Sequence, residues 1–438
     1  MIEIKKINDL NYSEQKNLFH RYGKDYTSVM DSVIPIVNDV KENGDEAVKR
    51  YTKNFDGVEI SKLVLTHQEI EKGFNRVPAK ILDAFIMAKD NIEEFHLHQK
   101  PKNIAYTRDD GSRLGVIYQP VEKVAIYAPG GKAIYPSTIL MAAIPAIIAG
   151  SSDITVITPP CEGDVVPDII LAICRIVGID KIIVSGGAQG IAAAGFGTQS
   201  ISKADIIVGP GNLYVTAAKA YLFSLGLIQI DSMAGPSDVM IIADEGANPK
   251  WIAFDLLSQA EHSEDAFSIL ITTSSQIAES VKEEISKDIE TKTGRYEIVK
   301  KSVTENGLIL LADSLEQAIE FSNRFAPEHM ELMVSDPDSY LPKIKNVGSL
   351  FLGHYSPVAV GDYFSGTNHI LPTGGTARFS SGLSVDSFLR RTTYQHLTGN
   401  ALKTAMEPVG IMSKVEGFDS KHGGSIYVRY EEDQPDAG

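Results

Sequence analysis

The chain has two cysteines in 438 residues, Cys161 and Cys174, and a single tryptophan. So few cysteines exclude a disulfide framework and any cysteine-rich zinc or iron–sulfur site, and they suit a reducing cytoplasm. Positive charge is also scarce: 41 Lys and Arg stand against 57 Asp and Glu, a formal net charge of -16. That balance argues against a nucleic-acid backbone or an anionic membrane as partner, and no run of lysines offsets it. Long hydrophobic runs are missing too. The most apolar stretch, Thr138 to Gly150, is too short to cross a bilayer and carries Pro145. Met1-Ile2-Glu3-Ile4-Lys5-Lys6 lacks the apolar core of a signal peptide. No internal repeat or low-complexity segment stands out.

What is present, 43% hydrophobic and 22% charged residues, is the composition of a soluble globular protein, and the length predicts two or more domains. The first 25 residues are polar and helix-like, ending near Gly23, and read as an arm. Residues 28 to 54 and 67 to 99 place apolar residues three and four apart, which predicts helices. From Val121 the texture changes to short β-branched runs alternating with helical stretches. The runs are Val124-Ala125-Ile126-Tyr127, Ile154-Thr155-Val156-Ile157, Ile182-Ile183-Val184, Ile206-Ile207-Val208 and Ile228-Gln229-Ile230. That alternation predicts a parallel sheet wrapped by helices. A second alternating block starts at Val239-Met240-Ile241-Ile242 and continues through Ser268-Ile269-Leu270-Ile271, Leu308-Ile309-Leu310-Leu311, Glu331-Leu332-Met333-Val334 and Ser349-Leu350-Phe351-Leu352. The expected fold is therefore α/β, with two parallel-sheet domains, a small N-terminal helical arm and a C-terminal tail. The expected limits are 1–25 for the arm, 26–122 with 238–378 for one α/β domain, 123–237 for the other and 379–438 for the tail.

Glycine turns follow several of these strands. Pro129-Gly130-Gly131-Lys132 has Ala133 where a Walker loop needs a hydroxyl for magnesium. Gly186-Gly187-Ala188-Gln189-Gly190 and Gly209-Pro210-Gly211-Asn212 do not spell the dinucleotide fingerprint. Plain strand-to-helix turns account for any one of them. Three at the same end of one sheet point to a ligand there, because parallel sheets bind ligands beyond their strand C-termini.

Two strings set a histidine beside a carboxylate: Ser258-Gln259-Ala260-Glu261-His262 and Ala326-Pro327-Glu328-His329-Met330-Glu331. Gln259 and His262 lie three apart on a predicted helix and share a face, so they can hold one metal ion. The same spacing also serves a helix end whose histidine caps carbonyls. Glu328 and His329 follow Pro327 in a turn expected just before a strand. There His329 can accept an alcohol proton and Glu328 can orient a water. The segment Val360 to His369 is polar and glycine-rich for a core, and its Asp362 and His369 can both face a pocket.

Together with Tyr135-Pro136-Ser137-Thr138, the string from Ile230 to Asp238 and Ser365-Gly366-Thr367-Asn368-His369-Ile370-Leu371-Pro372-Thr373, these motifs stand in the order found in histidinol dehydrogenases. The chain resembles that family over about residues 25 to 430. The resemblance implies two Rossmann-like, incompletely doubly wound domains of the aldehyde-dehydrogenase type. It implies a cytoplasmic homodimer that oxidises L-histidinol through histidinal to L-histidine with two NAD and one zinc ion per subunit. Carried over by position, the zinc ligands would be Gln259, His262, Asp362 and His422, the last reaching across from a second copy. Glu328 and His329 would be the acid–base pair. Substrate would touch Ser237, His369 and Glu416 as well as His329 and the four metal ligands. Tyr127, Gln189 and Asn212 would contact NAD. The stretch Gly417 to Lys421 is one residue longer than the family pattern, but His422 keeps its spacing to the strand-like Ile426-Tyr427-Val428. The nearest rival is another zinc-assisted, NAD-dependent dehydrogenase of this fold acting on a different small polar alcohol. A non-catalytic binding protein fits less well, because every acid–base and metal candidate is retained.

Overall fold

The computed structural model describes residues 2–21, 26–130, 134–161, 166–232, 235–292 and 294–432. Gly23 at the end of the arm, residues 131–133 of the lysine-bearing glycine turn and residues 233–234 of the 230–238 string lie outside the described residues. The chain forms two compact units. One comprises Met1–Gln99 and Val121–Phe388, the other Lys100–Pro120 and Leu389–Gly438.

The larger unit contains two six-stranded sheets. The first is parallel throughout, in the order Glu3–Lys6, Gly307–Leu311, Phe267–Thr272, Asp238–Ala243, His329–Met333 and Ser349–Leu352. Its central strand Asp238–Ala243 is buried along its whole length. Successive side chains of a strand point to opposite faces, so its residues divide between two cores. Val239, Ile241 and Ala243 pack with Ile252 and Leu256 of the helix Pro249–Ala260, whereas Met240 and Ile242 pack with Ile319 and Phe325 of the helix Leu315–Phe325. A strand covered on both faces reads as a continuous apolar run rather than an alternating one.

The second sheet has the order Val64–Leu65, Ile182–Val184, Asp153–Thr158, Lys123–Tyr127, Ile206–Val208 and Gln229–Ile230. Every pairing is parallel except that of Val64–Leu65 with Ile182–Val184. The helix Pro136–Ala149 packs nearly all of its residues into the interior. No helix of the described residues is long and apolar enough to cross a membrane.

The smaller unit is built on an antiparallel sheet, Leu389–His396 with Arg113–Pro120 with Ile104–Thr107, followed by the helix Gly399–Val415, a π-type turn Asp419–Gly423 and the helix Gly424–Glu432.

Several local expectations are corrected. The arm is not only helical: Glu3–Lys6 is an edge strand ahead of the helix Tyr12–Phe19. Residues 67 to 99 form two helices, His67–Phe74 and Ala79–Leu97, because Pro78 supplies no N–H to continue the first. Ile426-Tyr427-Val428 is helical rather than strand-like, with Ile426 alone of the three buried. His329 opens a strand and does not lie in a turn.

Candidate active site

The N-terminal edge of the first sheet and the C-terminal edge of the second border one cavity of about 540 Å³. The first edge contributes Ser237, Glu328 and His329, and the second contributes Pro129 and the turn from Gly209 to Asn212. His262, Asp362 and His369 line the same cavity, as do Tyr135, Ser137 and Thr138. Residues scattered over more than two hundred positions are thus collected by two sheets. The general preference for strand C-termini holds for the glycine turns, while Glu328 and His329 occupy the opposite end of their own sheet.

Glu328 and His329 are almost fully buried. Glu328 is held through both its backbone and its side chain. Its N–H donates to Asp238 Oδ1 at 2.7 Å, and its Oε2 accepts the N–H of Asp238 at 3.0 Å. Gly348, just before the next strand Ser349–Leu352, presses against it, and a Cβ there would come within 2.6 Å of the Glu328 carbonyl oxygen. Burial raises the Glu328 carboxyl to about 7, and the neighbouring Asp238 and Asp362 charges push the same way against the imidazole of His329. Burial alone would lower His329, but the Glu328 and Asp362 carboxylates outweigh it and bring the imidazole up to about 9. Its Nδ1 lies 3.1 Å from the Asp238 carbonyl, and its Nε2 is 3.7 Å from Asp362 with no hydrogen-bond partner.

Asp362 sits on the short helix Val358–Tyr363. Burial would raise its carboxyl, yet the imidazoles of His329, His369 and His262 hold it below the usual range. His369 Nδ1 contacts the Asp362 carbonyl at 2.8 Å, and burial pushes its imidazole down. Gln259, in the last turn of Pro249–Ala260, is buried, and both atoms of its carboxamide lack a hydrogen-bond partner. An uncompensated buried amide costs about 1–3 kcal/mol, so a ligand in its place is the economical explanation. His262 follows just past the helix end, its Nδ1 3.3 Å from the Ser258 carbonyl. That contact leaves Nε2 for coordination. No cluster of three or more His, Cys, Asp or Glu with metal-holding geometry occurs among the described residues.

Glu416 and His422 belong to the smaller unit. Glu416 caps the helix Gly399–Val415, His422 stands in the turn Asp419–Gly423, and both are exposed. At the second sheet, Asn212 lines the cavity and caps the helix Leu213–Ser224 by accepting the N–H groups of Tyr214 and Val215. Tyr127 and Gln189 are not among the cavity's lining residues. Both are buried at the neighbouring turn, where the Tyr127 hydroxyl accepts the Gly187 N–H at 3.4 Å and Gln189 Oε1 has no partner. Burial pushes the Tyr127 phenol up to about 12. Gly209 needs to be glycine: its φ is +106°, and a Cβ would lie 2.2 Å from the Tyr127 carbonyl oxygen.

Two ion pairs were not singled out from the sequence, one behind Glu328 and one lining the cavity. Asp238, the last residue of a quoted string, forms a buried ion pair with Arg21 at 2.8 Å. Lys219 and Asp231, both cavity-lining and buried as side chains, form another and brace the Gly209 turn through its carbonyl and N–H. Only coordinates reveal these pairs, because their partners are distant in the chain or lie inside otherwise ordinary helical and loop text.

The family model described as histidinol dehydrogenase matches residues 19–430. A histidinol dehydrogenase of Leptospira biflexa serovar Patoc is 48% identical over 418 residues, 94% of this chain and 96% of that one. One from Methanocaldococcus jannaschii is 46% identical over 419 residues, 95% and 96% of the two chains. The crystal structure of histidinol dehydrogenase from Elizabethkingia anophelis superposes with a TM-score of 0.93 at 37% identity, covering 98% of both chains.

Proposed function

The chain belongs to the histidinol dehydrogenase family, NAD-dependent oxidoreductases that catalyse the last step of histidine biosynthesis, and from that premise we propose how its own residues divide the work. The observation that carries the proposal is the cavity itself, where Glu328 and His329 meet His262, Asp362 and His369, with the unpartnered amide of Gln259 one turn before His262 in the chain.

Gln259, His262 and Asp362 are the proposed zinc ligands, with His422 contributed by a second copy in a cytoplasmic homodimer. Held by these residues, zinc would supply open coordination positions that fix an amino alcohol, with Lewis acidity as a secondary contribution. NAD supplies the hydride acceptor, and the Gly209 turn with Asn212, Tyr127 and Gln189 forms its proposed contact region. In the first oxidation His329 accepts the hydroxyl proton. In the second oxidation Glu328 takes a proton from the water that adds to the aldehyde. Ser237, His369 and Glu416 are the proposed substrate contacts, in company with His329 and the ligand residues. The buried walls of the cavity keep bulk water from the aldehyde between the two steps.

The test is histidinol-dependent NAD reduction with and without added zinc, with metal content measured after dialysis against a mild chelator. Activity that follows zinc, and zinc retention that falls in Gln259→Ala, are expected. An enzyme that reduces NAD with other polar alcohols and ignores histidinol would overturn the substrate assignment. Unchanged metal content in Gln259→Ala would remove Gln259 from the ligand set.

A further inference from the structure

Arg21 and Asp238 form an ion pair from which water is excluded: their side chains are 1% and 0% exposed. Burying two charges is seldom favourable in itself, because the desolvation cost rivals the attraction. The surroundings show how this pair is used. Arg21 Nε and Nη2 both donate to Asp238 Oδ2, at 3.1 and 2.8 Å. Nη1 donates to the Phe325 carbonyl at 2.6 Å, Nη2 also donates to the Ala326 carbonyl at 3.1 Å, and the guanidinium lies 3.3 Å from the centre of the Phe325 ring. Ala326 is in the left-handed region with φ +55°, a conformation that a residue with a Cβ keeps only where its surroundings impose it. Two residues later comes Glu328, whose N–H is taken by the other oxygen of Asp238 while its Oε2 accepts the Asp238 N–H.

We infer that Arg21 and Asp238 are positioning residues for Glu328, a clamp that holds the strained turn before it and fixes one carboxylate oxygen so that the other is presented for chemistry. This inference rests on the base role proposed for Glu328. The contacts explain why the clamp needs these two residue types. The planar fork spreads its N–H donors over three nitrogens and so reaches the carboxylate and both carbonyls, whereas a lysine ammonium must direct all of its donors from one atom. Only a carboxylate can accept from that fork and from the Glu328 N–H at once. Asparagine in its place would turn its NH₂ towards one donor or the other and lose that bond. His329 is affected less, since its contact with Asp238 is to the backbone carbonyl.

The experiment compares wild type, Arg21→Lys, the double variant Arg21→Met with Asp238→Asn, and Glu328→Gln as a reference. Oxidation of histidinol to histidinal and oxidation of added histidinal are assayed separately across pH. The double variant leaves no lone buried charge, and it should slow histidinal oxidation by about tenfold or more at little-changed KM, the scale of a small misplacement of a reacting group. Histidinol oxidation should fall by clearly less. The acid limb of histidinal oxidation should move to lower pH, because removing the Asp238 charge eases ionisation of Glu328. Arg21→Lys keeps the charge balanced but cannot reach all three acceptors, so it should show the same selective loss in smaller measure. It also decides the question if the double variant fails to fold. Equal losses in both half-reactions with an unmoved pH profile, or an unchanged ratio in Arg21→Lys, would overturn the clamp. Should Glu328→Gln itself leave histidinal oxidation intact, the base role of Glu328 fails instead, and the two failures are told apart.

Discussion

Two neighbouring side chains, Glu328 and His329, are driven to unlike proton affinities by the same burial. Water is withdrawn from both, which disfavours either charged form, but each then stands in the other's field. The carboxyl comes to about 7 and the imidazole to about 9. A base works only after losing its proton, so the half-reaction that depends on His329 should have its acid limb at higher pH than the one that depends on Glu328. Initial rates with histidinol and with histidinal, each measured from pH 5 to 10, check this, and coincident limbs would mean that the two roles are not divided as proposed. His329→Gln should slow histidinol oxidation by about 10²- to 10⁴-fold, the usual scale for a lost general base. Wild-type turnover in that variant would take His329 out of the reaction.

At the scale of elements, the helix Pro249–Ala260 carries Gln259, the strand His329–Met333 carries His329, and the helix Val358–Tyr363 carries Asp362. A second carboxylate pair ties the three together. Glu331, fully buried in the strand, accepts the N–H of Val358 at 2.9 Å while its Oε2 has no partner, and the carboxylate of Asp255, one turn before Gln259, raises its carboxyl further. Burial raises Asp255 to about 6 from 3.8, and Glu331 lies well above its ordinary value. The sign follows from linkage. A carboxyl whose folded value is raised contributes stability that is present below the unfolded value and is lost as pH climbs through the folded one. Asp255→Asn keeps the shape and removes that loss. Its Tm should exceed wild type by about 2 °C or more at pH 8 and by less at pH 4. A difference that is negative, or the same at both pH values, would show that the pair is not under this strain. Ten of the twelve strands of the six-stranded sheets were legible because burial on two faces demands unbroken apolar runs, while the end strands Glu3–Lys6 and Val64–Leu65, with no buried residue, were not. The strands Ile104–Thr107, Arg113–Pro120 and Leu389–His396 were not legible, since most of their residues are exposed and no apolar pattern is required of them. His329 was misread as a turn residue because histidine carries little strand preference, and pairing with Val239 and Ser349 overrides it.

At the scale of the whole molecule, the candidate site was legible mainly as motif text, and its meaning came from the resemblance rather than from spacing. His262 and Asp362 are a hundred residues apart, and nothing in a linear pattern requires them to line one cavity. The clamp of Arg21 on Asp238 spans 217 positions and left no local signature at all. The remaining proposed ligand, His422, lies in the smaller unit, and its assignment to a second copy makes a quantitative claim. If each site takes Gln259 from one chain and His422 from the other, a dimer of Gln259→Ala with His422→Asn has one site carrying both defects and one carrying none. Random exchange between equal amounts makes half of the dimers mixed, and half of their sites intact. Two inactive preparations, mixed and allowed to exchange subunits, should then recover about a quarter of wild-type activity. Mass spectrometry of the intact dimers reports the exchange independently of the assay. Confirmed mixed dimers without recovered activity would mean that each site draws its ligands from a single chain.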